Sequence, residues 1–308
     1  MEILHFNAEV IIFKHAKFFT RTFNLKILMV SIMTELSEQN IIKKIQNRDT
    51  FIASIEGGAF SLKIDHYEPA FSAAIHNGGN MRPELISNCI LSQAERYYEE
   101  DPYTGSFIEN QPITLICHDS RYEYDLNRNT DECVYETAWG KDVWKQPLSA
   151  ATIATSKARH AQFYRIVSAI CDALIEDFGE CIVYDNHSYN FKRHERKDLP
   201  VFNLGTTSVK SDKWRPIIDR WVNALNTMQV DGCEINAAEN DIFYGKGQLA
   251  AHCHGLYDNV LVLATESKKV FMDELSGEPD KVVLPSLQKM YNATVSENTA
   301  AYIKSNHR

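Results

Sequence analysis

The sequence lacks an uninterrupted apolar run near its start, because charged and polar residues recur throughout the first 33 positions. A signal peptide needs an apolar region of about 7–15 residues, and a membrane-spanning helix needs about 20. We therefore expect neither of them in this stretch. The seven cysteines include no Cys-x-x-Cys pair, and they are odd in number and widely spaced. This spacing argues against a thiolate metal cage or a disulfide framework, so we expect reduced thiols and a cytoplasmic protein.

Clusters of basic residues interleaved with aromatic ones are also missing, and the 308 residues carry a net charge of −9. This argues against a nucleic-acid partner, because binding to phosphates needs a basic surface. The chain shows no internal repeat, low-complexity tract or flexible linker. With 44% hydrophobic residues, it can bury a sizeable core in one large domain.

Four apolar runs, typical of buried strands, each end in polar residues. The runs begin at Phe71, Ile113, Cys181 and Asn259. A long helical pattern over 152–178 leads directly into the third run, which predicts a β-α-β crossover and hence parallel strands. Because the carboxyl ends of parallel strands meet at one edge of a sheet, we expect an α/β fold with its site there. The polar residues that follow the runs are His76, then Arg121, Asn127 and Arg128 in one segment, then His187, and finally Glu266.

The remaining patterns predict a hairpin and several helices. Glu56-Gly57-Gly58 is typical of a tight turn between two antiparallel strands. Helices are expected from Thr34 as N-cap to Gln46, and over Glu84–Glu100, Asp212–Met228 and Ser286–Ile303.

His76 and His187 supply two imidazoles, which together with one carboxylate and an open position are typical of catalytic zinc. Asp185 lies two residues before His187, on the same face of an extended chain, where it can hold the ring in one tautomer. The run Glu99-Glu100-Asp101 lies at a helix end, where a nearby cation would offset the unfavourable helix dipole. We expect Asp101 to be the third ligand. Two other carboxylates remain open for that role, Glu100 and Glu84.

Glu266 ends a buried strand, which suits a general base that takes a proton from water and passes it to the leaving nitrogen. Arg128 offers a fixed fork of donors for a substrate carboxylate, and Asn127 beside it adds an amide donor. Arg121 is a candidate to meet the oxyanion that develops on the scissile carbonyl. The arginines could instead form ordinary surface ion pairs. The alternative for Glu266 is an ion pair with a following lysine, Lys268 or Lys269.

Several motifs follow one another along the chain: Ala74-Ile75-His76-Asn77-Gly78, Glu99-Glu100-Asp101-Pro102-Tyr103-Thr104, Ser120–Arg128, Asp185–Asn190, Asn203–Thr206 and Phe271–Glu274. Together they resemble the N-formylglutamate amidohydrolase family. The resemblance implies the phosphorylase/hydrolase-like α/β fold of zinc carboxypeptidases and aspartoacylase, a mixed, mostly parallel sheet with helices on both faces. By the same resemblance, Asn127 and Arg128 bind the substrate carboxylate, Arg121 polarises the carbonyl and Glu266 is the base.

This resemblance implies a zinc-dependent amidohydrolase that removes an N-formyl or small N-acyl group from an acidic amino acid or similar carboxylate. Residues 1–50 are expected to be an N-terminal extension and helix, and 51–308 a single α/β zinc hydrolase domain. The carboxypeptidase His-x-x-Glu pair is absent, since Gly79 stands three residues after His76, so the second ligand must come from elsewhere. Two alternatives are carboxypeptidase-like cleavage of a short peptide and a catalytically weak protein that binds a carboxylate. The expected partner is a small-molecule carboxylate, with no nucleic acid and no membrane.

Overall fold

The structure, a computed structural model, describes residues 33–306. Its strands are β1 (Thr34–Leu36), β2 (Phe51–Ile55), β3 (Phe60–Ile64), β4 (Ala70–Ala74), β5 (Ile113–Cys117), β6 (Thr137–Ala138), β7 (Lys141–Asp142), β8 (Cys181–Tyr189), β9 (Phe202–Gly205), β10 (Ala237–Glu239) and β11 (Val260–Lys268). Its α-helices are α1 (Glu38–Gln46), α2 (Pro83–Asn88), α3 (Gln93–Glu99), α4 (Thr104–Ile108), α5 (Ala150–Phe178), α6 (Arg215–Asn226), α7 (Gln248–Leu256) and α8 (Val283–Asn306). A short 3-10 helix, Asp212–Trp214, precedes α6. The expectations for residues 1–32 lie outside this described part.

Nine strands form one sheet in the order β1-β2-β3-β5-β4-β8-β11-β9-β10, and β6 and β7 form a separate hairpin. The four central strands, β5, β4, β8 and β11, run parallel to one another. On either side, β3 pairs antiparallel with β5, and β9 pairs antiparallel with β11. The predicted mixed, mostly parallel α/β sheet is confirmed. The carboxyl ends of the four central strands therefore lie at one edge.

Alternate residues of the central strands enter two hydrophobic cores, one on each face of the sheet. In β8, Cys181 and Val183 enter the first core, whereas Ile182 and Tyr184 enter the second. Helices α1, α5 and α7 cover the first face, and α4, α6 and α8 cover the second. The expected helices on both faces are therefore present. Among residues 33–306, every helix is too short or too polar to cross a membrane.

The segment from residue 33 to residue 50 contributes to this sheet and core. Strand β1 pairs in parallel with β2, and Ile41 and Ile45 of α1 are fully buried in the first core. The prediction that Thr34 caps the helix is wrong. Thr34 lies in β1, and the hydroxyl of Ser37 caps α1 instead.

Two predicted elements differ from the structure by more than a few residues at their ends. The helix expected over Glu84–Glu100 is two helices, because Ser92 starts α3 with a capping box in which it and Glu95 bond to each other's amides. Strand β8 runs beyond its predicted apolar end, through His187 to Tyr189. His187 therefore lies within a strand that pairs with β11 at this position, whereas the pairing with β4 ends at Asp185. The hairpin of β2 and β3 and the long helix α5 agree with prediction.

Candidate metal centre and cleft

Two histidines and one aspartate from separate parts of the chain meet at the carboxyl edge of the sheet. His76 lies two residues beyond β4, and His187 lies in the neighbouring strand β8. The amide of Asp101 donates a 2.9 Å bond to the carbonyl of His76, which brings the carboxylate beside both rings. Asp101 Oδ2 lies 3.3 Å from His76 Nδ1 and 3.2 Å from His187 Nδ1. All three side chains are buried, and their donor atoms lie within 4.8 Å of one another, so they could hold one metal ion.

Each imidazole has a second carboxylate close to its other ring nitrogen. His76 Nε2 lies 2.6 Å from Asp125 Oδ1, and His187 Nε2 lies 3.0 Å from Asp185 Oδ1. Such a carboxylate fixes the tautomer and the orientation of a metal-binding imidazole. Both Nδ1 atoms are therefore directed towards the same Asp101 oxygen.

The charges of this group favour a cation. Burial raises the pKa of Asp101, but bonds to His187 and His76 outweigh burial and hold this pKa well below its usual range. Burial lowers the pKa of His187, but the carboxylates of Asp185 and Asp101 outweigh it and raise this pKa well above its usual value. Ser188 Oγ donates a 3.1 Å bond to Asp101 Oδ1, which leaves Oδ2 to face the rings. Two imidazole nitrogens and one carboxylate oxygen fit a divalent metal that keeps a position open.

The two alternative carboxylates do not join this group. Glu100 is buried, but its carboxylate accepts a short hydrogen bond from Ser120, and burial raises its pKa. Glu84 is exposed on α2, and its Oε1 lies 3.1 Å from Arg82 Nη1. Of the three carboxylates considered, Asp101 is the one that lies beside the histidines.

A buried lysine holds the main chain of the acidic run at 99–101. Lys269 Nζ donates a 2.8 Å bond to the carbonyl of Tyr98 and a 2.7 Å bond to that of Glu100. Burial lowers the pKa of Lys269 to about 8. Lys269 therefore fixes the main chain directly before Asp101, the expected third ligand. Sequence reasoning missed this role, although it indicated that a cation would be needed near the run.

Glu266 of β11 lies beside His187, because the two residues are paired in the register of β11 and β8. It lines a cleft of about 280 Å³ together with the two histidines, Asp101, Arg121 and Asn127. Burial raises the pKa of Glu266 to about 8. The two lysines that follow it, Lys268 and Lys269, donate hydrogen bonds to main-chain carbonyls, and neither forms an ion pair with Glu266 within the described chain. The carboxylate of Glu266 therefore faces the cleft.

A second cavity, of about 300 Å³, adjoins the cleft and is basic. Arg128 and Lys246 line it, and both are exposed, with no ion pair to any residue in 33–306. Arg121, Asn127 and Glu266 line both the cleft and this basic cavity. The Oδ1 atom of Asn127 is buried without a hydrogen-bond partner among the described residues. The structure thus brings Asn127 and Arg128 together next to the metal site.

Arg121 is held more firmly than its position in the sequence indicated. Its Nη2 donates a 2.9 Å bond to Asp125 Oδ2, and its Nη1 donates a 3.0 Å bond to the carbonyl of Glu99. Asp125 also accepts a hydrogen bond from the hydroxyl of Tyr135, and its Oδ1 contacts His76 Nε2. Arg121 is therefore linked to the metal site through Asp125. Sequence reasoning missed the role of this carboxylate. The feature that could have indicated it is its position: Asp125 is an acidic residue in the segment after β5, at the edge of the sheet where the histidines lie.

A family model described as N-formylglutamate amidohydrolase matches residues 69–269, more than half of the chain. The matched range includes every residue placed above in the metal group, the cleft and the basic cavity. Among curated proteins, none matches the chain significantly.

Solved structures share the fold. An N-formylglutamate amidohydrolase from Ralstonia eutropha aligns with a TM-score of 0.67 at 17% identity, over 80% of this chain and 99% of that chain. A gene product from Agrobacterium tumefaciens aligns with a TM-score of 0.58 at 15% identity, over 78% of this chain and 95% of that chain. A metallo-carboxypeptidase from Burkholderia cenocepacia gives a TM-score of 0.36 at 12% identity, over 85% of this chain and 68% of that chain. At this TM-score the two folds are only remotely similar.

Proposed function

Since the chain belongs to the N-formylglutamate amidohydrolase family, whose members hydrolyse an amide bond, we propose that it uses zinc to cleave an N-formyl or small N-acyl derivative of an acidic amino acid. The buried group of His76, Asp101 and His187 carries this proposal. Each imidazole in the group is backed by a second carboxylate, as in hydrolytic zinc sites. Zinc bound there would supply Lewis acidity towards a carbonyl and make water acidic at neutral pH.

We assign the general base to Glu266. The carboxylate faces the cleft beside His187, and it is not committed to an ion pair with the lysines that follow it. It takes a proton from the attacking water and passes it to the nitrogen that leaves. Burial raises the pKa of Glu266, which makes the carboxylate a stronger proton acceptor, and a bound dication beside it would keep it ionised.

The basic cavity selects the amino-acid half of the substrate. Arg128 presents a planar fork that matches a carboxylate, and Asn127 next to it supplies a further amide donor. Lys246 adds a second unpaired cation in the same cavity, which supports a substrate with two carboxylates. Arg121, which lines both cavities, completes the site on the side of the scissile carbonyl.

We place this activity in the cytoplasm, with a small-molecule carboxylate as partner. All seven cysteines are free and six are buried, which supports a reducing compartment. The catalytic residues all come from the single domain that the described residues form.

Elemental analysis and steady-state kinetics on the full chain test the proposal. We expect about one zinc per chain and faster hydrolysis of N-formyl-L-glutamate than of N-formyl-L-leucine, which lacks the second carboxylate. Glu266→Gln should lower kcat by about two to four orders of magnitude with zinc retained. Glu84→Gln, a change at an exposed glutamate outside the metal group, should alter neither kcat nor the zinc content.

Two outcomes would overturn this function. Zinc-loaded protein that hydrolyses neither substrate would exclude the amidohydrolase, and a folded, metal-free protein that binds carboxylates would point to a binding protein. A Glu266→Gln variant that turns over at nearly the wild-type rate would exclude the base.

A further inference from the structure

A groove beside the metal cleft is larger than the cleft itself, about 660 Å³ against about 280 Å³. Its walls are mainly apolar and aromatic, and include Leu91, Tyr98, Tyr122, Trp139 and Leu275. Trp139 is 45% exposed and Leu275 is 75% exposed. Large exposed apolar side chains around a concave surface mark a place where a ligand binds.

The groove opens into the metal cleft at Trp139. Glu99, Trp139 and Arg193 line both spaces, and the guanidinium of Arg121 lies 4.9 Å from the centre of the Trp139 ring. Trp139 has a φ of +50° and is followed by Gly140 with a φ of +75°, in the turn between β6 and β7. Two successive positive φ angles are those of a two-residue hairpin turn, which here sets the direction of the Trp139 side chain. The turn places an aromatic ring at the junction of the groove with the cleft.

The metal cleft separates this groove from the basic cavity. The cleft shares Arg121 and Glu266 with the basic cavity and shares Glu99 and Trp139 with the groove, while the groove and the basic cavity share no lining residue. A substrate whose carboxylate binds Arg128 and whose amide lies at the metal group therefore extends its acyl side towards the groove.

We infer that the preferred substrate carries an aromatic acyl group, which binds in this groove. The inference rests on the amide hydrolysis and the metal group of the proposed function, because it needs the carboxylate in the basic cavity and the amide at the metal group; it differs from that function in giving the preferred acyl group an aromatic ring. A formyl group has one carbon and fills none of the groove, whereas aromatic walls suit a ring. The reaction stays a hydrolysis: the oxygen of water bonds to the acyl carbon, the C–N bond breaks and the nitrogen gains a proton. Its products are an aromatic carboxylic acid and an acidic amino acid.

The test compares N-formyl-, N-acetyl- and N-phenylacetyl-L-glutamate with zinc-loaded full chain. Burial of a phenyl ring should raise kcat/KM for the phenylacetyl substrate about 10- to 100-fold over the formyl one. Ala94→Trp, at an exposed position of α3 that lines the groove, should remove this preference and leave the formyl rate unchanged. Ala300→Trp, at an exposed position of α8, is the matched control and should change neither rate.

The inference is overturned if the phenylacetyl substrate is no better than the formyl one, or if Ala94→Trp keeps the preference; the proposed function would then still stand. If no N-acyl glutamate is hydrolysed, the proposed function fails. Calorimetric titration with N-phenylacetyl-L-glutamate then tests whether the groove binds the phenylacetyl group. Binding at least 10-fold weaker in Ala94→Trp than in Ala300→Trp would keep the groove assignment. Equal binding by the two variants would exclude it.

Discussion

Each histidine of the metal group uses both of its ring nitrogens. One nitrogen faces Asp101, and the other faces a carboxylate that does not belong to the metal group, Asp125 for His76 and Asp185 for His187. A ring held at both ends cannot rotate without losing a contact. We therefore expect the affinity of this group for a metal to depend on residues that would not touch the metal.

The first prediction concerns Asp125→Asn. An amide accepts the His76 Nε2 proton more weakly, and its own N–H group can oppose that proton, so zinc affinity should fall about 10- to 100-fold. Competition with a chromophoric chelator measures the affinity, and circular dichroism checks the fold. Asp131→Asn, at an exposed aspartate of the same segment, is the control. An unchanged affinity in Asp125→Asn would show that this carboxylate does not tune the site.

The second prediction separates two arginines. Arg128→Lys keeps the charge but loses the fork, so KM for a carboxylate substrate should rise about 10-fold with kcat little changed. Arg121→Ala removes the bond to Asp125 and a donor near the carbonyl, so kcat should fall about 100-fold or more. Arg196→Lys, at a surface arginine paired with Asp241, is the control in steady-state kinetics. Identical profiles for the Arg128 and Arg121 variants would contradict this division.

At the scale of elements, a neutral histidine joins α7 to β11. His254 Nε2 lies 3.1 Å from the amide of Val262, which donates to it, and Nδ1 lies 3.1 Å from Ser208 Oγ. A protonated ring could not accept from the Val262 amide. Burial, together with the charge of Lys210, lowers the pKa of His254 to about 4.

The third prediction follows from this pKa. Between pH 6.5 and 4 the unfolded chain binds a proton at His254 that the folded chain does not. The contribution of His254 to the free energy of unfolding is thus present in full well above pH 6.5 and is lost as the pH falls towards 4, by about 3 kcal/mol. His254→Gln should reduce the loss of stability between these pH values, measured by urea unfolding.

Exposed His66 supplies the control, because His66→Gln makes the same kind of substitution at a histidine outside this contact. An equal pH dependence in His254→Gln and the parent protein would show that another group dominates the acid sensitivity.

The elements that sequence reasoning located well are those in which one periodicity runs without interruption. The four apolar runs and α5 are of this kind. It placed the end of β8 too early, because the strand continues through polar residues such as Asp185 and His187, all of them buried. A run of polar residues usually marks the end of a strand, but in β8 some of them find buried partners: Asn186 donates to the carbonyl of Thr104, and Ser188 donates to Asp101. It also joined α2 to α3, because the capping box at Ser92 lies within a stretch whose apolar spacing is helical.

At the scale of the whole molecule, the metal group ties together distant parts of the chain. His76 follows β4, Asp101 follows α3, and His187 lies 86 positions beyond Asp101. An unfolded chain does not hold these three side chains together, so a metal that binds them stabilises the folded state alone.

The fourth prediction is the consequence for thermal unfolding. At a free zinc concentration of about 1,000 times Kd the stabilisation is about 4 kcal/mol, so removal of zinc with a chelator should lower Tm by about 10 °C. Asp101→Ala should show a low Tm that the chelator does not change. Calorimetric scans with and without chelator provide the measurement. A chelator effect of equal size in Asp101→Ala would place the stabilising metal elsewhere.

The residues that sequence reasoning named are mostly those that end a strand at one edge, because parallel topology alone brings such ends together. His76, His187 and Glu266 meet in this way, whereas Asp101 follows α3 and joins them through the bond from its amide to the carbonyl of His76. It could not find Lys269, which contacts main-chain carbonyls that no side-chain pattern reveals. Nor could it find the groove, whose walls come from α3, the β6–β7 turn and a distant loop and have no common spacing.

The register of β8 and β11 has a consequence for how this protein is assembled. The strands pair without interruption from Val260 with Cys181 to Lys268 with Tyr189, and Glu266 with His187 is one step of that ladder. A slip of one residue would turn the apolar side chains to the wrong faces, but a slip of two would keep each on its own face. Such a molecule would retain most of its secondary structure, yet Glu266 would stand opposite residue 185 or 189. We therefore expect a molecule refolded with such a slip to show near-native circular dichroism but none of the proposed activity.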